Sequence, residues 1–323
     1  MALIGIDIGG TKILVCVGDH TGKIFASERI STRPLGGAIK GLPAIAALIY
    51  KLLTKTKIQE SEVEAIGISA PGPVSVKKGM MLTPPNFSNW QNTKLVEYFE
   101  KEFHKPTLMN NDANAAVLAE YDFGSSQRTS NLVYLTCSTG MGGGAIVDGK
   151  LVQGVADVAA EVGHFVLDIN GPQCPCGQRG CFEEYCGGAA LARKMQKDIQ
   201  EKNINTKILD LANGKIKKVD AACLVSAMKE EDPYALTVWN EFCLRLAQGI
   251  GCVLMNYNPE ALILGTIAIH AEDYLFKPVK EHLPNFAWQP NVQSCRIEAS
   301  KIGHKISELS GIALAIEARK KSL

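Results

Sequence analysis

The sequence predicts an α/β protein built from two copies of one unit. Three observations carry that prediction. The chain has 323 residues, which suits about two domains of roughly 100–200 residues each. Short apolar runs bounded by glycine and proline alternate with longer stretches of helical periodicity. One pattern also occurs twice. Residues 3–25, LIGIDIGGTKILVCVGDHTGKIF, and residues 132–154, LVYLTCSTGMGGGAIVDGKLVQG, share strand, glycine-bearing polar turn, strand, tight turn and strand.

The elements follow in order. Residues 3–8 form a strand that stops at Gly9-Gly10; 13–17 and 23–30 complete a meander. Ile39, Leu42, Ile45, Leu48, Ile49 and Leu52 recur at helical spacing within 35–57. Residues 63–69 are a buried strand that ends at the rigid turn Ala-Pro-Gly-Pro. A loop over 83–90, a helix over 93–103 and a short strand over 107–110 lead to a helix over 113–123. The pattern then restarts with strands at 132–136, 145–147 and 150–153, around a glycine-rich turn at 138–144. Helices over 188–202, 219–230 and 232–256 follow, then strand 260–264, helix 272–282, strand 296–299 and a last helix over 306–320. No proline- or serine-rich linker marks a boundary, so the restart places it near Asn114.

Composition narrows the class. With 46% hydrophobic and 21% charged residues the chain has ample core material. A net charge of +1 gives no global field for nucleic acid or an anionic membrane. No run of about 18 apolar residues offers a membrane span. The start, MALIGIDIGG, lacks a basic region before a long apolar core and reads as a first strand, not a signal peptide. Ten cysteines are too sparse for a disulfide scaffold and, without an export signal, read as reduced thiols in a cytoplasmic protein.

The densest stretch is 161–184, EVGHFVLDINGPQCPCGQRGCFEE. Glycines and prolines interrupt it too often for one helix or one long strand. Cys174, Cys176 and Cys181 with His164 make the four ligands of one tetrahedral Zn²⁺ site. All four positions are then filled, so the metal is a structural clamp with no place for a catalytic water. Glu161 and Glu183 bracket the clamp and are the acids it would position.

Two glycine turns read as phosphate contacts. In Asp7-Ile8-Gly9-Gly10-Thr11-Lys12, the glycines let backbone N–H groups approach phosphate oxygens, Thr11 and Lys12 add donors, and Asp7 can hold Mg²⁺ through water. The turn is no P-loop, because it lacks that spacing and a strand follows it. Ser138-Thr139-Gly140-Met141-Gly142 is the second such turn, and a strand after it excludes a dinucleotide fingerprint. Two jaws of this kind suit a polyphosphate. Asn111-Asp112 opens a helix; Asn111 suits an N-cap, and Asp112 can accept a proton from an attacking hydroxyl.

Together these motifs resemble the ROK family (repressor, open reading frame, kinase) of sugar kinases, within the actin/hexokinase/heat-shock ATPase fold. The similarity covers nearly the whole length. Its most specific part is Glu161-Val162-Gly163-His164 followed by CPCGQRGCFE. The resemblance implies a two-domain actin-like ATPase fold, a duplicated ribonuclease H-like core with an active-site cleft between domains. The first domain would take residues 1–114 plus 306–323 and the second 115–305. It implies ATP, Mg²⁺ and structural Zn²⁺, with Asp112 as the general base on a sugar hydroxyl. Gly72, Asn86, Asn111, Glu161, His164 and Glu183 would bind the sugar, and Gly265 and Thr266 would face the adenosine. It implies glucose phosphorylation first, then N-acetylmannosamine or N-acetylglucosamine, then fructose, by a homodimer. A repressor of this family needs a helix-turn-helix module before the first strand, and only six residues precede Asp7. Two departures stand out. Ser138 occupies the place of a usual glycine, and Thr266 that of the second glycine of a pair.

Overall fold

The computed structural model describes residues 1–84, 87–126 and 129–322. The chain divides into two compact units, one of residues 1–129, 144–160 and 301–323, the other of residues 130–143 and 161–300. The first unit thus keeps the helix Asp112–Phe123, which packs on the last helix, Ile306–Ser322. The boundary expected near Asn114 falls inside that helix.

Strands β1 (Ala2–Ile8), β2 (Lys12–Gly18), β3 (Ile24–Ser31) and β4 (Val63–Ala70) belong to the first sheet. A small ribbon of β5 (Val74–Ser75) and β6 (Met80–Met81) precedes β7 (Thr107–Asn111). The order is β3-β2-β1-β4-β7, antiparallel through the meander and parallel from β1 to β4 to β7. Then come β8 (Leu132–Cys137), β9 (Met141–Val147), β10 (Lys150–Leu151), β11 (Ala261–Leu264) and β12 (Arg296–Ala299). They form a second sheet in the order β10-β9-β8-β11-β12. The two orders are the same order, so the repeated pattern in the sequence is a repeated topology.

The period of two in β1 divides the first core. Ile4, Ile6 and Ile8 face one way, into a cluster with Ile45, Ile49 and Leu52 of the helix Ala38–Thr56. Leu3 faces the other way, with Leu14, Cys16 and Ala65, against Ile312 and Ala315 of the last helix. Gly5 and Gly67 lie on that second face because the helix comes too close for any side chain. A Cβ on Gly67 would strike the Gly311 carbonyl and the Ala315 nitrogen.

Most elements fall where periodicity puts them, and the departures have causes. β9 begins at Met141, inside the stretch expected as a turn to residue 144. Glycine disfavours a strand on its own, but the backbone here runs close to the helix Asp112–Phe123. A Cβ on Gly144 would meet the Ala113 carbonyl, 2.6 Å away. The helix Ile267–His282 starts five residues before the expected one, across a kink at Ala271. Among the described residues, no helix is long and apolar enough to cross a membrane.

Candidate active site

In the first unit, Asp7 and the NNDAN segment (residues 110–114) lie on either side of β4, because that strand separates β1 from β7. Asp7 pairs in register with Ser69. Burial pushes its carboxyl up, hydrogen bonds from Ser307 and Ser69 pull it down, Glu308 raises it and Arg29 lowers it. The turn after it is closed by Gly9 N–H on the Lys12 carbonyl at 2.9 Å and by the Thr32 hydroxyl on the Gly9 carbonyl at 2.7 Å. Gly10, Thr11 and Lys12 are exposed, which leaves their donors at the surface.

Asn111 ends β7 and caps the next helix: its side-chain oxygen accepts from the Asn114 N–H at 2.7 Å. That bond occupies its side-chain oxygen and leaves its amide hydrogens for the sugar contact expected of it. Asn110 accepts from the Asn111 N–H at 2.8 Å and from the Asn114 side chain at 3.0 Å. Asn110 and Asn114 were not among the expected site residues. The signal for them was three asparagines in five residues at a strand–helix junction. Asp112, within this segment, is exposed and accepts from the Ala113 N–H at 2.9 Å. Gly72 lies just past the end of β4, with no atom within 4 Å of where a side chain would begin. Asn86 lies outside the described residues.

In the second unit, the loop of 161–184 closes on itself. The ligand atoms of His164, Cys174, Cys176 and Cys181 all lie within 4.8 Å of one another. Cys174 Sγ is 3.8 Å from His164 Nδ1, and Cys176 Sγ is 3.6 Å from Cys181 Sγ. Ligands about 2.0–2.3 Å from a tetrahedral zinc stand at about these separations. Burial and the neighbouring thiols push Cys181 up to about 12, and burial raises Cys174 as well. Cys176 goes the other way: slight burial opposes it, but hydrogen bonds from the Gln178 backbone and the other two thiols hold it low. Three thiols this close stay deprotonated together only around a cation. Nδ1 of His164 faces the thiols, which leaves its Nε2 for another partner.

The loop also has an apolar anchor. Phe182 is fully buried, against the one spot on the helix Pro233–Tyr257 where Gly249 leaves room for its ring. Asp168 is held by the Tyr185 hydroxyl, and the Arg245 guanidinium stacks 4.4 Å from the Tyr185 ring. Glu161 borders the clamp. Its carboxyl is raised by partial desolvation, lowered by His164 and raised again by Glu183.

The second glycine turn is exposed at Ser138 and Thr139. Ser138 has an ordinary backbone, since it is not among the residues at positive φ. Thr266 does not: it sits at φ 52°, ψ −100°, a region that β-branched residues rarely enter. Its hydroxyl lies 3.0 Å from that of Thr136. Gly265 is required by Tyr134, whose ring occupies the side-chain position. Ser138, Thr139 and Thr266 line one cavity of about 610 Å³ with Leu191, Val225, Lys229 and His270. Its mixed apolar and polar lining suits a small organic ligand.

The sequence signature of the ROK family matches residues 3–318. The glucokinase of Thermotoga maritima is 31% identical over 302 residues, 94% of this chain and 93% of that protein. The xylose repressor of Caldicellulosiruptor bescii is 27% identical over 315 residues, 98% of this chain but 78% of the repressor. The crystal structure of a ROK family glucokinase from Streptomyces griseus, in complex with glucose and AMPPNP, is 31% identical. It superposes with a TM-score of 0.81, over 98% of this chain and 100% of that one.

Proposed function

The chain belongs to the ROK family and has its actin-like ATPase fold, and from that premise we propose that it is an ATP-dependent hexose kinase with glucose as its first substrate. The observation that carries the reading is the loop of the second unit. It gathers His164 and three cysteines into one cluster and sets Glu161 and Glu183 beside it. The similarity to a glucokinase bound to glucose and AMPPNP supports the same reading.

The residues divide the work. Glu161, Glu183 and the Nε2 of His164 accept or donate hydrogen bonds to sugar hydroxyls. Asn111 offers its amide hydrogens, and Gly72 leaves space. Asp112 takes the proton from the 6-hydroxyl as that oxygen attacks the γ-phosphorus; the bond from phosphorus to the bridging oxygen breaks and ADP leaves. The turns of residues 9–12 and of Ser138, Thr139, Gly140 and Gly142 hold the phosphates through N–H groups other than those of Gly9 and Ser138, which are spent inside the turns, with Lys12 adding positive charge. Thr266 lines the cavity assigned to the nucleoside, and Gly265 precedes it in the chain. Asp7 would hold Mg²⁺ through water, and that ion offsets phosphate charge when bound. Zn²⁺ on His164 and the three cysteines would supply shape and no chemistry.

A panel of sugars with ATP, read by coupled ADP release, tests the proposal. Glucose-stimulated turnover is the expected result. Preference for N-acetylmannosamine, N-acetylglucosamine or fructose would keep the kinase and change the substrate; no stimulation by any sugar would overturn the reading. The likeness to a xylose repressor favours a second one, sugar-responsive DNA binding. Sequence-specific binding that persists over a salt series would support it. Light scattering tests the homodimer.

A further inference from the structure

The segment that leaves the cysteine loop reaches the second glycine turn at four points. Glu183 accepts a hydrogen bond from the Met141 backbone N–H at 2.9 Å. The same carboxylate fills the space a side chain on residue 140 would need, so Gly140 is glycine on account of Glu183. The N–H groups of Gly188 and Ala189, at the start of the helix Gly188–Lys202, donate to the carbonyls of Ser138 at 2.8 Å and Thr139 at 2.9 Å. At its other end this segment begins in the cluster. Phe182 alone separates Cys181 from Glu183, and the Glu183 carboxylate lies within 4.8 Å of Cys174 Sγ.

We propose that Glu183 is a positioning residue for the donor site: metal held by the cysteine loop sets, through Glu183, the backbone of residues 138–141 and so the grip on the phosphate donor. The proposal rests on the kinase reading above and extends it, because the metal then acts on the donor as well as on the sugar. A glycine-rich turn has many backbone states, and ordering it is a cost that the donor would otherwise meet on binding. Three hydrogen bonds from one segment select a single state in advance. The carboxylate supplies the strongest of them, a charge-assisted bond to a backbone N–H.

Calorimetric titration of the full chain with AMPPNP and Mg²⁺, and separately with glucose, tests this on zinc-loaded and chelator-stripped protein. The zinc-loaded parent is expected to bind both. Glu183→Ala should weaken AMPPNP about tenfold, the size of one such hydrogen bond, while Glu183→Gln, which keeps an oxygen for the Met141 N–H, restores most of the loss. Gly140→Ala, whose methyl group displaces the carboxylate, should keep its zinc by metal analysis and lose AMPPNP affinity, with glucose affinity falling alongside because Glu183 also serves the sugar. Stripping zinc from the parent should reproduce that loss. Equal AMPPNP affinity in Glu183→Ala and Glu183→Gln overturns the proposal, as does parent-like AMPPNP binding by a folded, zinc-loaded Gly140→Ala. A parent protein that binds neither AMPPNP nor any sugar overturns the kinase reading and this proposal with it; parent binding of both with unaffected variants overturns this proposal alone.

Discussion

In the first unit the sheet and its covering helix meet backbone to backbone. Gly5 and Gly67 lie under Gly311 and Ala315, with no side chain between them. In the second unit the helix Pro233–Tyr257 receives a ring: Phe182 fills the notch at Gly249 and fastens the cysteine loop. Both sheets have one strand order, so the difference is in what each must hold. The first unit fixes a strand-end aspartate through short-range lattices, Ser69 and Ser307 on Asp7 and the asparagines around Asp112. The second must hold a long loop with little apolar content, and uses one aromatic anchor, a stacked arginine and a ligand cluster. A duplicated topology therefore leaves each copy free to solve a different local problem.

The sharpest way to break this contrast is to separate chemistry from grip. Asp112→Asn should lower turnover about 100- to 10,000-fold, the usual share of a general base, with the sugar KM nearly unchanged. Glu161→Gln should do the reverse, raising the sugar KM and sparing most of kcat. Steady-state kinetics with coupled ADP release reads both; a large KM effect at Asp112 would erase the division of labour.

Packing gives the next effects. Phe182→Ala removes the loop's apolar anchor and should destabilise by about 3–5 kcal/mol. Hydrogen exchange should rise in residues 161–184 before it rises in β1 and β4. Gly67→Ala forces a methyl group into backbone and should cost about 3 kcal/mol, with the order of exchange reversed. Urea melts of both variants give the totals. Equal exchange patterns would mean the two units do not hold themselves together by different means.

The smallest expected effect is at Thr266. Threonine at φ 52° carries backbone strain of order 1 kcal/mol. Thr266→Gly should therefore raise the thermal midpoint slightly, by an effect of about 1 kcal/mol at most. A lower midpoint would show that the Thr136–Thr266 hydroxyl pair outweighs the strain.

The sequence by itself determined much of this protein. Period-two and period-3.6 patterning identified most strands and helices, because burial on one face dictates where apolar residues recur. The doubled strand–turn–strand pattern became a doubled sheet order for the same reason. The meeting of His164, Cys174, Cys176 and Cys181 in one cluster was legible because few physical explanations suit that spacing. Tertiary structure alone decided the rest. Gly140 reads as a phosphate-turn glycine, yet its missing side chain makes room for Glu183, 43 positions along the chain. Asn110 and Asn114 read as polar residues near a cap, and only the fold buries them under Asp112. Ser138 and Thr266 looked like parallel departures from glycine, and the backbone made one ordinary and the other strained. Each of these depends on which distant atoms arrive at a residue. Local propensity carries no record of that, because long-range contact is set by the packing of whole elements.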